Sequence, residues 1–115
     1  MNRYNIKKGK WGEDKAEAFL KKKGYSIIER NYRCRWGEID IIAERDGTIH
    51  FVEVKTRTSD RFGSPLEAVT HEKMHHIMRT AQYYIYRNSL EKYEMSLDGI
   101  AVCEDRIDFV QGINM

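Results

Sequence analysis

Alternating apolar and polar residues mark the centre of the chain as a β-hairpin. Two β-rich runs, Glu38 to Arg45 and Thr48 to Thr56, flank the dipeptide Asp46-Gly47. Asp-Gly in this position predicts a type I′ turn, because that turn needs a positive φ at both of its central residues. A two-residue turn also sets the register, since Arg45 must then oppose Thr48 and each pair further out follows one step at a time.

The predicted register brings charged side chains together at the end of the hairpin away from the turn. Asp40 faces Glu53, and Glu38 faces Lys55, which lies on the same face as Glu53. Opposed residues have Cβ atoms about 4.5–5.5 Å apart, so two carboxylates can hold one divalent cation, which takes oxygen ligands at about 2.0–2.6 Å. Without a cation the carboxylates repel each other. A salt-bridged, half-exposed hairpin, with Glu38 paired to Lys55 and Asp40 solvated, is an equally open interpretation.

The hairpin is predicted to be covered on both faces. One face is expected to be core and carries Ile39, Ile41, Ala43, His50, Val52 and Val54. The acidic face is itself apolar toward the turn, where Ile42 opposes Phe51. The charged residues are therefore expected in a partly buried place.

Helical spacing and turn signals predict the remaining elements. In order, they are a loose basic arm over residues 1–10, a helix over 12–23, a strand over 25–31, a short helix over 65–69, a long helix over about 70–88, and strands over 95–103 and 106–110. The long helix between the second hairpin strand and the strand over 95–103 implies a right-handed crossover to a parallel neighbour. This order predicts a single α/β domain over residues 1–115.

Glu13 lies in the first turn of the helix predicted over 12–23. It precedes Ala16 and Leu20 by three and seven residues, so it points toward the buried side of the helix. Stabilisation of the helix dipole, worth about 0.3–1 kcal/mol, would account for this carboxylate without catalysis. An inward carboxylate beside the hairpin would instead complete or support a metal site.

The charge of the chain is unevenly distributed. The net charge is only +2, but residues 1–35 carry eleven Lys or Arg against four acids, and residues 36–115 carry nine against fourteen. This suits a basic face that approaches phosphate while acids lie at a metal site, although a solvated lysine-rich helix would look similar. A composition of 41% hydrophobic and 33% charged residues is typical of a globular domain.

Arginines and aromatic residues cluster on either side of the hairpin. The first group comprises Tyr32, Arg33, Arg35 and Trp36, and the second comprises Arg57, Arg61 and Phe62. Such groups suit contact with backbone phosphate and stacking on bases. An ordinary exposed turn would explain the first group equally well.

Two cysteines, Cys34 and Cys103, are too few and too far apart for a disulfide scaffold or a thiolate zinc site. No apolar run approaches the roughly 18 residues that span a bilayer, and no apolar signal segment follows the start. We therefore expect a cytoplasmic protein with no membrane partner. The oligomeric state is left open, with a homodimer among the alternatives.

Motifs along most of the chain resemble a known family. Asp40, a spacer and Glu53-Val54-Lys55 resemble the Asp…Glu-x-Lys signature of the PD-(D/E)XK nuclease superfamily. More narrowly, the chain resembles the YraN family of small bacterial proteins, which are similar to archaeal Holliday-junction resolvases. The matching stretches are Gly12-Glu13 with Ala16, Gly24-Tyr25, Arg30 to Arg33, Gly37 to Ala43, Phe51 to Arg57, Phe62 to Pro65, Lys73 and Asp98.

The resemblance implies a fold and a function. The implied fold is restriction-endonuclease-like, an α/β fold with a central mixed sheet of about five strands flanked by helices. The implied function is Mg²⁺- or Mn²⁺-dependent hydrolysis of DNA phosphodiester bonds, on branched or flapped DNA. The alternative is a non-catalytic DNA-binding or assembly protein that keeps this fold.

The resemblance also implies roles for single residues. Asp40 and Glu53 would bind the metal ion, and Glu13 would ligate it directly or through water. Lys55 would orient or deprotonate the nucleophilic water, or stabilise the transition state, and the sequence does not choose among these roles. Contacts with phosphate are expected from Arg33, Arg35, Arg57, Arg61 and Lys73. Asp98 interrupts an apolar strand, where a position facing the site and one at the sheet edge are about equally expected.

A rival motif lies in the long helix, where His71-Glu72-Lys73-Met74-His75 satisfies H-E-x-x-H. In zinc peptidases the two histidines of this motif ligate zinc and the glutamate activates water. The apolar stripe of the helix is centred near Ala81. At about 100° per residue, His75 lies about 120° and His71 about 80° from that centre. A catalytic pair should face a cleft, so a zinc peptidase is the least favoured function, and His50 and His76 are interpreted as structural.

Overall fold

The computed structural model describes residues 3–56 and 71–113, and in that part of the chain it contains two helices and five strands. In chain order they are α1 (Arg3–Lys22), β1 (Ser26–Cys34), β2 (Gly37–Arg45), β3 (Thr48–Thr56), α2 (His71–Arg87), β4 (Glu94–Val102) and β5 (Ile107–Val110). The strands form one sheet in the order β1-β2-β3-β4-β5, with β3 and β4 parallel and the other neighbours antiparallel. This confirms the predicted α/β class and the five-stranded mixed sheet.

The central hairpin forms as predicted. Asp46 and Gly47 have φ angles of 50° and 84°, as a type I′ turn requires. Pairing continues from Arg45 opposite Thr48 to Ile41 opposite Val52. The predicted register is therefore confirmed over this length. The parallel pairing of β3 with β4 on either side of α2 confirms the predicted parallel neighbour, whereas the short helix predicted over 65–69 lies outside the described residues.

The sheet carries a hydrophobic core on each face. The core on the α1 side comprises Ala16, Leu20, Tyr25, Ile41, Ala43, Val52, Ile100 and Val102. The core on the α2 side comprises Ile39, Ile42, Ile49, Phe51, Ile77, Ala81, Tyr84 and Leu97. Both faces of the hairpin are thus covered, as the sequence predicts. No helix within the described residues is long and apolar enough to cross a membrane.

α1 begins nine residues earlier than the helix predicted from residue 12. Residues 3–10, predicted as a loose arm, instead continue the helix. Nothing in this segment stops a helix, because it contains no proline and its single glycine, Gly9, costs only about 1 kcal/mol relative to alanine.

β2 changes face at Asp40. Residues two apart in a regular strand point to the same side of a sheet. Ile41 packs in the core on the α1 side, whereas Ile39 packs in the core on the α2 side. The predicted placement of Ile39 on the same face as Ile41 is therefore wrong.

β1 changes face at the residue opposite Asp40. Arg30 contacts α1, whereas Tyr32, two residues later, packs against Tyr84 of α2. Asn31 lies between them with a φ of 56°, a left-handed conformation that asparagine adopts more readily than most residues. The register of the neighbouring pairs places Asn31 opposite Asp40. The two strands thus share one irregularity, and it lies beside the Asp40 carboxylate.

α1 passes close to the end of β3 at Gly12. A Cβ on Gly12 would overlap the hydroxyl of Thr56 and lie 3.3 Å from the Thr56 Cβ. Glycine therefore allows an approach that another residue would prevent. This approach holds Glu13, the next residue of α1, against the strand that carries Glu53 and Lys55.

Gly12→Ala should lower the free energy of unfolding by about 1–3 kcal/mol, the range for overpacking, even though alanine is the better helix former. Rotation of the Thr56 side chain would not relieve the contact with its Cβ. Gly9→Ala is the matched control, because a Cβ there has nothing within 4 Å, and it should raise the free energy of unfolding by up to about 1 kcal/mol. Urea unfolding followed by circular dichroism measures both changes. Equal stability of the two variants would contradict the close approach.

Candidate active site

A cleft of about 450 Å³ opens between the end of the hairpin and α2. Its lining includes Glu38, Asp40, Glu53, Lys55, Lys73 and His76. Three of the four residues that the sequence proposes as catalytic thus lie in one cleft. The fourth, Glu13, is not among the lining residues.

The Asp40 carboxylate lies where the regular hairpin pairing ends. Its Oδ2 accepts a hydrogen bond of 2.7 Å from the backbone N–H of Val54. The last regular pair before this point is Ile41 opposite Val52. The change of face in β2 therefore directs the carboxylate across to β3, beside Glu53.

Asp40 is held in an environment that disfavours its negative charge. Burial raises its pKa from 3.8 to about 7, and the nearby charge of Glu53 acts in the same direction. The charge of Glu13 adds to this effect, whereas the hydrogen bond from Val54 opposes it. Asp40 therefore carries a proton at pH values where an ordinary aspartate is ionised.

Two lysines accompany the carboxylates. The Nζ atom of Lys73 lies 2.5 Å from Oε1 of Glu53, and the Nζ atom of Lys55 lies 3.8 Å from the same oxygen. A hydrogen bond with Lys73, followed by burial, lowers the pKa of Lys55. Burial alone would lower the pKa of Lys73 as well, but its hydrogen bond with Glu53 raises it. Lys73, expected as a phosphate contact, is thus an internal counter-ion of the cleft.

Glu13 approaches the site from α1. Its carboxylate is 18% exposed and lies 3.2 Å from Nη2 of Arg30 in β1. Arg30 also binds Asp14 at 2.7 Å and Glu17 at 3.5 Å. Glu13 therefore has a structural partner that sequence reasoning missed, and its part in a metal site stays a prediction.

The predicted phosphate-binding arginines divide into two sets. Arg57 and Arg61 lie outside the described residues. Arg33 pairs with Glu38 through a 2.8 Å contact, and the guanidinium of Arg35 lies over the Trp36 ring, 4.6 Å from its centroid. Both described arginines are exposed at the turn between β1 and β2.

α2 supplies residues that sequence reasoning missed. His76, interpreted as structural, lines the cleft, and its Nδ1 lies 3.1 Å from the backbone oxygen of Trp36. The guanidinium of Arg79 lies 4.0 Å from the centroid of the Trp36 ring. The sequence could have indicated both residues, because they lie three and six residues after Lys73. Residues three or four apart on a helix are neighbours on its surface.

The first histidine of the H-E-x-x-H motif, His71, has its side chain outside the described part of the structure. His75 is exposed on α2, as the position of the apolar stripe predicts. Among the side chains that the structure describes, no three from His, Cys, Asp or Glu form a group that could hold a metal ion. The low rank of the zinc peptidase therefore rests on the exposed position of His75.

Asp98 lies neither in the cleft nor exposed at a sheet edge. It is 2% exposed, and its Oδ2 lies 2.6 Å from Nδ1 of His50. Its Oδ1 accepts hydrogen bonds from the Ser96 hydroxyl at 2.6 Å and from the backbone N–H of Gly112 at 3.1 Å. These contacts make Asp98 a structural residue that joins β3, β4 and the C-terminal segment.

The donors in the cleft fit a hard divalent cation better than a soft one. Asp40 and Glu53 supply carboxylate oxygens, which Mg²⁺ and Mn²⁺ prefer. Both cysteines are free thiols elsewhere, with Cys34 partly exposed and Cys103 buried. Burial and then the nearby charge of Glu53 raise the pKa of Asp40, and a bound cation would relieve the repulsion between the two carboxylates.

Comparison with known proteins gives one family. The family described as "Uncharacterised protein family UPF0102" matches residues 12–111. A UPF0102 protein of Clostridium acetobutylicum is 52% identical over 102 residues, which cover 89% of this chain and 84% of the relative. A UPF0102 protein of Caldicellulosiruptor saccharolyticus is 46% identical over 115 residues, which cover all of this chain and 96% of the relative.

Solved structures also include proteins that are similar to this chain. The protein titled "Crystal structure of SSO0001" superposes with a TM-score of 0.40 and 21% sequence identity, covering 90% of this chain. This chain spans about half of that protein's length, at 48%. A similarity of this size carries no argument about function.

The Asp40 carboxyl should titrate near pH 7 in a ¹³C NMR titration of the carboxyl carbons. Glu53→Gln should move its midpoint downward, because it removes the charge of Glu53 while burial remains. Glu38→Gln is the control, since Glu38 lines the same cleft but does not contribute to the shift. A wild-type midpoint near the ordinary aspartate value of about 3.9 would contradict the described environment.

The raised pKa of Asp40 also predicts how stability depends on pH. Between pH 4 and pH 7 the folded protein keeps a proton that the unfolded chain has lost. The contribution of Asp40 to stability is therefore present below about pH 4 and is lost as the pH rises through about 7. Urea unfolding across this range should show a smaller loss in Asp40→Asn, which cannot ionise, than in the wild type. Parallel pH profiles of the two proteins would contradict the raised pKa.

Proposed function

The chain belongs to the uncharacterised protein family UPF0102, and from this premise we propose that it is a Mg²⁺- or Mn²⁺-dependent endonuclease acting on DNA. The YraN family, which the sequence resembles, is this same family, so that prediction is confirmed. The proposed activity rests on the residues of the cleft.

One observation carries the proposal, namely the adjacent carboxylates of Asp40 and Glu53 in a cleft that also holds Lys55. A bare pair of this kind is unfavourable, as the raised pKa of Asp40 records. Asp40 and Glu53 would hold the cation, with the backbone oxygen of Val54 as a third ligand. The bound ion would lower the pKa of water and neutralise charge on the phosphate. Phosphodiester hydrolysis needs both effects.

The lysines act on the phosphate and the attacking water. The lowered pKa of Lys55 increases the share of its neutral amine, which is the form that can orient the attacking water and accept its proton. Lys73 keeps its positive charge and holds the Glu53 carboxylate in place. His76 lines the same cleft from α2 and is placed to contact the DNA backbone.

A second function is favoured by the Lys73 contact. An ammonium group 2.5 Å from Glu53 already neutralises one carboxylate without a metal ion. This arrangement suits a non-catalytic DNA-binding or assembly protein that has kept the nuclease fold. The two functions differ in whether Asp40 and Glu53 also bind a divalent cation beside Lys73, so metal binding is the first measurement to make.

Asp40→Asn should abolish binding of Mn²⁺ measured by isothermal titration calorimetry, because an amide oxygen carries no net charge to replace the carboxylate. The fold should persist, since an amide oxygen can still accept the Val54 hydrogen bond. Glu91→Gln is the control, because Glu91 is exposed after α2 and away from the cleft. Equal Mn²⁺ binding by the wild type and the Asp40 variant would exclude the proposed metal site.

Lys55→Ala should slow DNA cleavage by roughly 10²–10⁴, the range for loss of a positioned acid–base group, while DNA affinity changes little. The measurement uses linear, nicked, flapped and four-way DNA with Mg²⁺ or Mn²⁺, and with EDTA as a blank. His75→Ala, at an exposed position outside the cleft, should cleave like the wild type. Absence of wild-type cleavage on the whole panel would favour the binding protein, and full activity in the Lys55 variant would assign the cleavage to other residues.

A further inference from the structure

A second concavity of about 510 Å³ lies between β1 and α2. We call it the tyrosine–arginine groove, and its lining includes Glu29, Tyr32, Arg33, Arg35, Tyr83 and Arg87. The lining carries three arginines and one glutamate, and because Arg33 is paired with Glu38, Arg35 and Arg87 supply the positive charge of the groove. Neither Tyr83 nor Arg87 is explained by the chemistry of the cleft.

The tyrosine–arginine groove adjoins the cleft. Arg33 lines the groove and Glu38 lines the cleft, and their side chains are paired at 2.8 Å. Trp36 lies between them in sequence, and its backbone oxygen contacts His76 of the cleft at 3.1 Å. A chain leaving the cleft at this end would therefore enter the groove directly.

Aromatic rings in the groove are positioned by packing. Tyr32 packs edge-on against Tyr84, with ring centroids 4.9 Å apart. Tyr83 follows on α2 and is 37% exposed. It lies one helical turn from both Arg79 and Arg87, which are exposed neighbours on the helix surface. The groove thus presents an accessible aromatic ring flanked by guanidinium groups.

We propose that the tyrosine–arginine groove binds an unpaired segment of the DNA substrate as it leaves the cleft. Bases in a duplex are already stacked on one another, whereas unpaired bases stack on aromatic side chains and their phosphates follow a positively charged groove. The size of the groove is that of a small-ligand site, which suits a few unpaired nucleotides. This inference rests on the proposed nuclease function and narrows its substrate to DNA with a single-stranded tail.

The test measures binding in EDTA, so that cleavage plays no part. The probe is a fluorescein-labelled oligothymidylate of about 15 nucleotides, a length within the range of single-strand sites, and a duplex of equal length is the comparison. Fluorescence polarisation gives the affinities. We expect the wild type to bind the single strand more tightly than the duplex. Equal affinity, or tighter binding of the duplex, would overturn the inference.

Variants of α2 then assign the binding to the groove. Tyr83→Ala should weaken single-strand binding roughly 5- to 150-fold, as expected for loss of one stacked base, whereas Tyr83→Phe should retain it because the ring remains. Arg87→Ala should reduce the slope of log affinity against log salt by about 0.7, the value for one phosphate contact on a single strand. Tyr86→Ala is the matched control, because Tyr86 is 75% exposed on the same helix and does not line the groove.

The outcomes separate this inference from the proposed function. Unchanged single-strand binding in Tyr83→Ala would overturn the proposal that the groove binds unpaired DNA, even if the wild type cleaves DNA with Mg²⁺. Single-strand binding that depends on Tyr83 and Arg87 would support the groove as a DNA-binding site, even if no DNA in the cleavage panel is cut. Circular dichroism of each variant confirms that a loss of binding is not a loss of fold. If Tyr83→Ala loses binding, retained binding in Tyr83→Phe shows that the ring is required and the hydroxyl is not.

Discussion

Two carboxylates held together away from bulk water repel each other, and the surroundings of Asp40 and Glu53 are arranged to reduce that repulsion. The ammonium of Lys73 lies 2.5 Å from Glu53, and the backbone N–H of Val54 donates to Asp40. A proton on Asp40 further reduces the repulsion between the two carboxylates, since the pKa of Asp40 is about 7. A divalent cation would replace that proton. The fold thus holds Asp40 and Glu53 in an arrangement that repels without a cation, and the proposed chemistry uses a cation that removes this repulsion.

The pair depends on an irregularity shared by two strands. A regular β2 would place Asp40 on a fixed face of the sheet, but the strand changes face there, and β1 does the same at Asn31. Well-packed cores on both sides of the sheet keep the strands in place despite this distortion. The close approach of α1 at Gly12 then brings a third carboxylate, that of Glu13, within electrostatic reach of Asp40.

One helix serves both concave regions. α2 contributes Lys73 and His76 to the cleft and Tyr83 and Arg87 to the tyrosine–arginine groove. Part of the basic charge of α1 is paired within the helix. Lys10 pairs with Asp14, and Lys21 pairs with Glu17. Exposed arginines at the end of β1 and along α2 add positive charge beside the two concave regions.

Local chemistry in the sequence determined the hairpin and its register as far as Ile41 and Val52. Asp46-Gly47 specifies the turn, and the register counted from that turn holds from Arg45 opposite Thr48 to Ile41 opposite Val52. Beyond that point Asp40 and Glu53 meet through the change of face in β2, which the counting did not predict. Alternation and helical spacing determined the α/β order of elements. These features depend on neighbours in the chain, so the sequence was sufficient to predict them.

Features that join distant segments were decided only by the tertiary structure. Sequence spacing places Ile39 and Ile41 on the same face of the sheet. In the structure they lie on opposite faces, because Ile39 packs in the core on the α2 side, beside the left-handed Asn31 of β1. The partners of Glu13, Lys73 and Asp98 are Arg30, Glu53 and His50, which lie 17, 20 and 48 residues away in the chain. A side chain pairs with whichever opposite charge the fold brings near, and no local pattern encodes that choice. The sequence by itself therefore specified which groups are present, and the packing of α1 and α2 on the sheet decided which of them meet.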